Sequence, residues 1–393
     1  MIRKVTLSLV FIYSTFTSFE TSAQTIDSTG QLDGRTNTIN TAVPFLRITP
    51  DARSGAMGDV GVAIAPDASS IYWNLSKLPF AQAKSSLAVT YTPWLKELVN
   101  DVFLATVSGY TKLDEYQAIS ASLRYFSLGT INFRDVTNQD LGDFHPREFA
   151  FDAGYSRKLS EHFSVGLTGR YIYSNLAGGQ SNGSVTIKPG KAFAADISAF
   201  YTKDFEKDDG TVNKLNFGVN ISNIGTKISY TSSAQKDFIP TNLALGGAYT
   251  LSLDEANQLT FALDINKLLV PTSTRGDSTY KDKSVLQGIF SSFGDAPGGL
   301  KEELQELMYS VGMEYWYNQQ FAVRAGYFNE NKNKGNRKYF TAGIGIKYDI
   351  FGLNFSYLVP SGSGIQRNPL SNTLRFTLTF DLGARDDESR TGW

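Results

Sequence analysis

From Ser86 to Asp381 one rhythm keeps returning: an apolar residue, a polar or small one, then an apolar one again. Residues 337–360, "RKYFTAGIGIKYDIFGLNFSYLVP", show it twice. Phe340, Ala342, Ile344, Ile346, Tyr348 and Ile350 share one face of the first segment, and Tyr339, Thr341, Gly343, Gly345, Lys347 and Asp349 share the other. In the second, Phe351, Leu353, Phe355, Tyr357 and Val359 alternate with Gly352, Asn354, Ser356 and Leu358. A period of two belongs to a β-strand with one dry and one wet face. Fourteen segments carry it: 86–92, 101–111, 115–126, 147–158, 161–174, 190–202, 213–222, 241–252, 257–268, 308–317, 319–329, 337–349, 351–359 and 371–381.

What the dry face touches is decided by the connections. Those at 112–114, 159–160, 318 and 350 are very short, whereas 127–146, 175–189, 223–240 and 269–307 are long. Short and long alternate, as in an up-and-down membrane barrel with tight turns on one rim and long loops on the other. A soluble β-sandwich has no reason to alternate so. After residue 23 no apolar run of about 18 residues occurs, so a spanning helix is not available, and only a closed barrel satisfies the backbone in lipid. Many apolar faces end in tyrosine, as at Tyr155, Tyr171, Tyr249, Tyr315, Tyr348 and Tyr357, which suits an interfacial girdle. The expected fold is all-β: a 14-stranded antiparallel transmembrane β-barrel over 86–382, with Phe340, Ile344 and Phe355 toward lipid and a polar tail over 383–393.

The N-terminus reads as an export signal over 1–23: Arg3 and Lys4, an apolar run over 5–19, then Thr21-Ser22-Ala23. With no cysteine there is no disulfide and no thiol for a lipid anchor. The net charge of −1, without a basic stripe, argues against nucleic acid as a partner. Catalysis fails on inventory. The histidines are His145 and His162, and "GDFHPRE" sets Asp143 near His145 without a positioned nucleophile. Metal-ligand spacing is absent, and "GDVGVA" lacks a following basic helix start, so no cofactor or metal is expected.

Residues 24–40 are polar and read as a flexible lead-in to a compact, Gly/Ala-rich stretch at 41–85, broken by Pro44, Pro50, Pro66 and Pro79. The wet faces of the strands are rich in Gly, Ser, Thr, Asn and Ala, which leaves room for this stretch as an N-terminal hatch inside the barrel. Asp51, Arg53, Met57, Gly58, Trp73 and Asn74 are its candidate structural residues, with Asp51 and Arg53 expected to pair with Arg170 or Asp152.

Phe45-Leu46-Arg47-Ile48, followed by "PDARSGAMGDVGVA" and "DASSIYWN", resembles the hatch of the FadL-type outer-membrane barrels. With "YTPWLKELVND" and the strand spacing, the chain is most similar within them to the PorV family, barrel subunits of the type IX secretion system. Many FadL-type hatches continue Asn-Pro-Ala where this chain has Asn74-Leu75-Ser76, which counts against carrying over fatty-acid transport. The resemblance implies a non-enzymatic outer-membrane protein. Its implied partners are the giant translocon barrel, secreted proteins bearing a C-terminal signal domain, a surface attachment complex with a signal peptidase subunit, and outer-membrane lipids. The alternative it implies is passive transport of fatty acids or other hydrophobic small molecules.

Two outer loops are candidate contact surfaces. "TPWLKELVN" sets Trp94, Leu95, Leu98 and Val99 on one side of a helical turn, with Lys96 and Glu97 opposite. The loop 269–307 carries Ile289, Phe290 and Phe293, then Leu300, Leu304, Leu307 and Met308 at helical spacing, with Glu302, Glu303 and Glu306 expected outward. The alternative for the first is a loop packed on its own rim, and for the second a lid that only seals the barrel; exposed, either is a docking face for translocon or cargo.

Overall fold

The computed structural model describes residues 37–94, 99, 101–134, 137–178, 181–182, 185–231, 236–273, 278–361 and 373–384. The export signal expected over 1–23 and the tail beyond 384 lie outside them. Fourteen strands form the barrel: β1 (Ala83–Pro93), β2 (Val102–Lys112), β3 (Gln117–Leu128), β4 (Arg147–Lys158), β5 (Phe163–Asn175), β6 (Gly190–Glu206), β7 (Val212–Gly225), β8 (Asn242–Ser252), β9 (Asn257–Leu268), β10 (Met308–Tyr317), β11 (Phe321–Asn329), β12 (Lys338–Tyr348), β13 (Phe351–Pro360) and β14 (Leu374–Ala384). Every strand pairs antiparallel with its sequence neighbour, and β14 closes on β1 with Leu87 opposite Phe380 and Val89 opposite Leu378. The strands agree with the sequence reading to within four residues at every end; β6, expected to stop at 202, runs on to Glu206. Two small hairpins in the long loops were not foreseen: Ile131–Arg134 with Asp140–Phe144, and Ser181–Asn182 with Val185–Thr186.

The alternation sorts residues between two environments. Leu87, Phe151, Leu167, Phe217, Phe340 and Ile344 stand exposed on the outer face, Phe340 at 57%. Ser86, Ser108, Ser122, Asn216, Thr341 and Thr377 are buried on the inner one. An apolar exterior around a polar interior is the inverse of a soluble domain and fits a lipid belt. Tyr116, Tyr317, Phe321 and Tyr348 stand exposed at the short-turn rim, where an aromatic girdle belongs.

Residues 37–82 occupy the interior. They start at the long-loop rim, pass through a 3-10 turn (Pro44–Arg47), α1 (Ala52–Ala56), α2 (Ser70–Trp73) and a second 3-10 segment (Leu75–Phe80), and enter β1 at the short-turn rim. Their partners lie on the inner faces all round the barrel. Ala52 N donates to Thr377 Oγ1 (2.9 Å), Gly58 N to Thr341 Oγ1 (2.8 Å) and Gly61 N to Asp264 Oδ2 (2.7 Å). Asn216 Nδ2 donates to Ala63 O (3.1 Å), and Ser164 bonds the Ser76 carbonyl. Apolar contacts are local: Met57, Val60, Ala63 and Ile64 with Ala248 and Ala262, and Ile71, Leu75 and Leu78 with Tyr110 and Ala118.

Close approach depends on glycines on both sides, as two of them show. Gly58 sits at φ +72°, a left-handed conformation that other residues adopt at a cost. A Cβ on Gly326 of β11 would lie 2.0 Å from the Met57 carbonyl carbon, with backbone rather than a movable side chain in the way. Gly326→Val should therefore push the segment off the wall at a cost of at least ~1–3 kcal/mol. Limited proteolysis should then cut near residue 57 in an otherwise heat-resistant barrel; undiminished protection would mean the wall yields instead.

Candidate functional site: a filled lumen beneath an apolar loop face

Ion pairs fasten the luminal segment to the wall. Arg53 of α1 makes a two-pronged contact with Glu314 of β10, Nε to Oε2 at 2.9 Å and Nη2 to Oε1 at 2.7 Å, and reaches Asp67 at 3.1 Å. Glu314 also accepts from Arg324 Nε of β11 at 2.6 Å. A second network lies nearer the long-loop rim. Arg170 bridges Asp152 (2.5 Å) and Asp196 (2.8 Å), and Arg124 approaches Asp152 (3.4 Å) while stacking over Tyr72. The expected pairing of Asp51 and Arg53 with Arg170 or Asp152 is thus corrected: those two satisfy each other, and the charges on the luminal segment find nearer partners. Asp51 caps α1 by accepting from Ser54 N (2.8 Å) and takes Trp73 Nε1 (2.8 Å). Asn74 donates to Val62 O (3.1 Å) and Ala199 O (3.0 Å), and Met57 is fully buried.

A cavity of about 100 Å³ lies between this segment and the long-loop rim, lined by Arg47, Asp59, Tyr72, Asn220, Arg337 and Tyr339 among others. Leu46, Val62, Trp73, Met308 and Phe328 complete a lining of mixed polarity. Among the described residues no group of His, Asp and Glu is placed to hold a metal ion. His145 Nδ1 bonds Thr130 Oγ1 (3.2 Å), and Asp143 takes Asn132 Nδ2 (2.9 Å).

The loop 269–307 folds into a 3-10 turn (Thr279–Asp282), α3 (Val285–Ser291) and α4 (Leu300–Gln305). Ser284 and Gln287 form a capping box at the start of α3. The orientation of α4 is the reverse of the sequence expectation. Glu302, Glu303 and Glu306 are buried, while Leu300 is 76% and Leu304 55% exposed. Lysines explain the reversal. Lys267 at the end of β9 meets Glu303 (3.0 Å) and Glu306 (2.6 Å), and Lys334 of the β11–β12 loop meets Glu302 (2.7 Å) and Glu306 (3.0 Å). Thr272 Oγ1 adds a bond to Glu306 (2.7 Å). Charge-assisted bonds in a dry setting turn the acidic face inward and leave the leucines outside. Leu286, Phe290 (74%) and Phe293 on the same loop are also exposed, and Ile289 is half-buried. Of the other loop, Trp94 is half-buried against the cluster of Val43, Phe45 and Leu104; Leu95 and Leu98 lie outside the described residues.

Burial alone would raise the Glu302 carboxyl's pKa, but bonds from Lys334, Asn37 and the Gly298 N–H outweigh it and hold the group below its ordinary range. A carboxyl lowered by folding lends its stabilisation above its unfolded pKa and withdraws it as pH falls through the folded one. The seat of α4 should therefore hold at neutral and mildly acidic pH and loosen only below about pH 4. Amide exchange over 300–306, corrected for intrinsic rate, reads this directly. Glu302→Gln should flatten the acid limb, and an unchanged limb would assign it elsewhere.

Comparison with known proteins adds the family. No curated protein matches the chain. Solved structures that resemble it include a TodX monoaromatic hydrocarbon channel mutant lacking S2S3, at 12% identity over 85% of this chain and 98% of that one, TM-score 0.48. Others are the Ralstonia pickettii toluene transporter TbuX (10%, covering 86% and 99%, TM-score 0.45) and a Pseudomonas aeruginosa FadL homologue (10%, covering 85% and 98%, TM-score 0.43). Likeness at this level carries no argument about what the barrel binds. The model of the family "Type IX secretion system protein PorV" matches residues 31–275, more than half of the sequence and everything from the luminal segment through β9. The chain is an outer-membrane β-barrel component of type IX secretion and belongs to the PorV family.

Proposed function

We propose that this barrel is a cargo shuttle rather than a conduit: it binds the translocon barrel and the C-terminal signal domain of secreted proteins, and passes them to the attachment complex at the cell surface. It performs no catalysis in this reading. The observation that carries the proposal is the inverted helix α4, whose acidic face is tied to Lys267 and Lys334 while Leu300 and Leu304 face solvent. The ion pairs fix which face of the helix is outward, and an apolar face fixed outward is a surface for a partner to cover. Leu300 and Leu304, with Phe290, Phe293 and Ile289, form the docking face in this reading. Leu95 and Leu98 remain candidates as well.

The interior supports the same reading. A passive hydrophobic transporter needs an apolar passage past the hatch. Here the luminal segment is stitched to the wall by Arg53–Glu314 and Asp264–Gly61, and the cavity above it measures about 100 Å³, with Arg47, Asn220 and Tyr339 interrupting the apolar lining of Leu46, Val62 and Phe328. Tagged purification from mild-detergent outer membranes, with companions identified by mass spectrometry, tests the proposal. It stands if a very large barrel co-purifies with secreted proteins sharing one C-terminal domain. A lone barrel carrying fatty acid would replace it with transport.

A further inference from the structure

Before the luminal segment turns inward, it crosses the outer mouth as a strap, and the strap touches three loops. Asn37 Nδ2 donates to Glu302 (3.1 Å), and the Asn37 carbonyl accepts from Lys334 Nζ (3.1 Å). The Thr38 carbonyl accepts from Ser273 Oγ (2.6 Å), and Asn40 Nδ2 donates to the same hydroxyl (3.3 Å). Ala42 N donates to the Phe238 carbonyl (2.9 Å). Between these bonds Ile39 packs against Leu268, Met308, Phe328, Tyr339 and Leu358, the outer ends of the five consecutive strands β9 to β13. Glu302 and Ser273 belong to the loop carrying α4, Lys334 to the β11–β12 loop and Phe238 to the β7–β8 loop.

The direction of the chain is fixed as well. After Ala42 it passes through Val43 in a left-handed conformation (φ 46°) and drops inward. There Phe45 stacks on Phe126 and Leu46 joins the cluster with Leu104 and Ile172. A polypeptide whose inner end descends into the barrel must have its outer end at the mouth.

We propose that residues 37–42 are a positioning strap, which lies on the outer side of the membrane, fastens the three outer loops to one another and holds the docking face of α4 in place. The same Lys334 ammonium and Glu302 carboxylate serve α4 and the strap, so the two seats are coupled. A loop as long as 269–307 opens locally at low cost unless something distant pins it. The strap pins it from more than 200 residues away in sequence. Its consequence for secretion rests on the function proposed above; its placement and its hold on the loops do not.

Because the chain has no cysteine, single-cysteine labelling is unambiguous. Asn40→Cys, at an exposed position, should react with a membrane-impermeant maleimide on intact cells, whereas Glu161→Cys at a short turn should react only after the envelope is opened. Protection of Asn40→Cys on intact cells overturns the outside placement. The hold on the loops is read by amide exchange of the purified full-length barrel. Asn37→Ala with Ser273→Ala, and separately Ile39→Ala, should speed exchange over 300–306 roughly tenfold or more while the strands keep their protection. Unchanged exchange over 300–306 in both variants overturns the positioning role. If α4 loosens yet secretion is unaffected, the strap stands and the docking role of α4 falls.

Discussion

Replacing Glu314 by alanine unfastens the luminal segment while the barrel stays closed. Glu314 is 2% exposed and receives both Arg53 of α1 and Arg324 of β11. Removing it leaves two guanidinium groups facing each other in a dry interior. Breaking a buried ion pair by deleting one partner costs about 3–5 kcal/mol, chiefly because the surviving charge stays desolvated. The loss falls unevenly. Arg324 keeps Asn354 (2.9 Å) and lies on a strand held by two ladders, whereas the bonds left to Arg53 among the described residues go to Asp67 and the Ala65 carbonyl, both on the luminal segment itself. The segment should therefore yield before the wall does. Amide exchange over 51–58 should accelerate by two orders of magnitude or more, since each 1.4 kcal/mol is about tenfold. Strand protection and heat-modifiable gel mobility should be unchanged. Arg53→Met added to Glu314→Ala should restore part of the protection, because it removes one stranded charge and the two residues touch. If Glu314→Ala alone leaves 51–58 as protected as before, the ion pair is not what holds the segment.

The barrel was legible because each strand faces two solvents. A period of two survives any pairing partner, and the alternation of short and long connections sets the topology without further information. The luminal ion pairs were partly legible. Asp152, Arg170, Asp196, Glu314 and Arg324 all interrupt the small-residue face of a strand at even spacing, which marks them as interior charges. Their partners were not legible, because Arg53 and Glu314 are separated by 261 residues and periodicity says nothing across such a gap. The orientation of α4 failed for a related reason. Helical spacing defines two faces but not which one is dry, and the answer depended on Lys267 and Lys334 from two other elements. Residues 37–40 were read with the polar lead-in, although Ile39 in an otherwise polar run was the signal that something there was anchored. The small hairpin Ile131–Arg134 with Asp140–Phe144 has strands too short to establish a period.

The charge reversal of α4 makes its outward face the most exposed test of function. Leu300→Asp with Leu304→Asp should leave the barrel as stable as before, within about 0.5 kcal/mol, because both side chains already face solvent. It should also leave Lys267, Lys334 and the three glutamates paired, since those lie on the opposite face. Partner capture is where the change should appear. Fully burying a leucine against a partner contributes about 1.5–3 kcal/mol, and an aspartate in its place must be desolvated without a counter-charge. Two such positions together predict a loss of at least ~100-fold in affinity for whatever covers the helix. Phe290→Asp, on the same loop, should weaken capture further if α3 shares the surface and leave it unchanged if α4 acts alone. The companion experiment is Glu306→Gln, which keeps the leucines but withdraws the carboxylate shared by Lys267, Lys334 and Thr272. It should weaken capture by loosening the helix, with faster exchange over 300–306, whereas the aspartate pair should abolish capture with exchange unchanged. Full recovery of companions by the Leu300→Asp, Leu304→Asp barrel would remove α4 from the docking surface and send the search to the loop that follows β1.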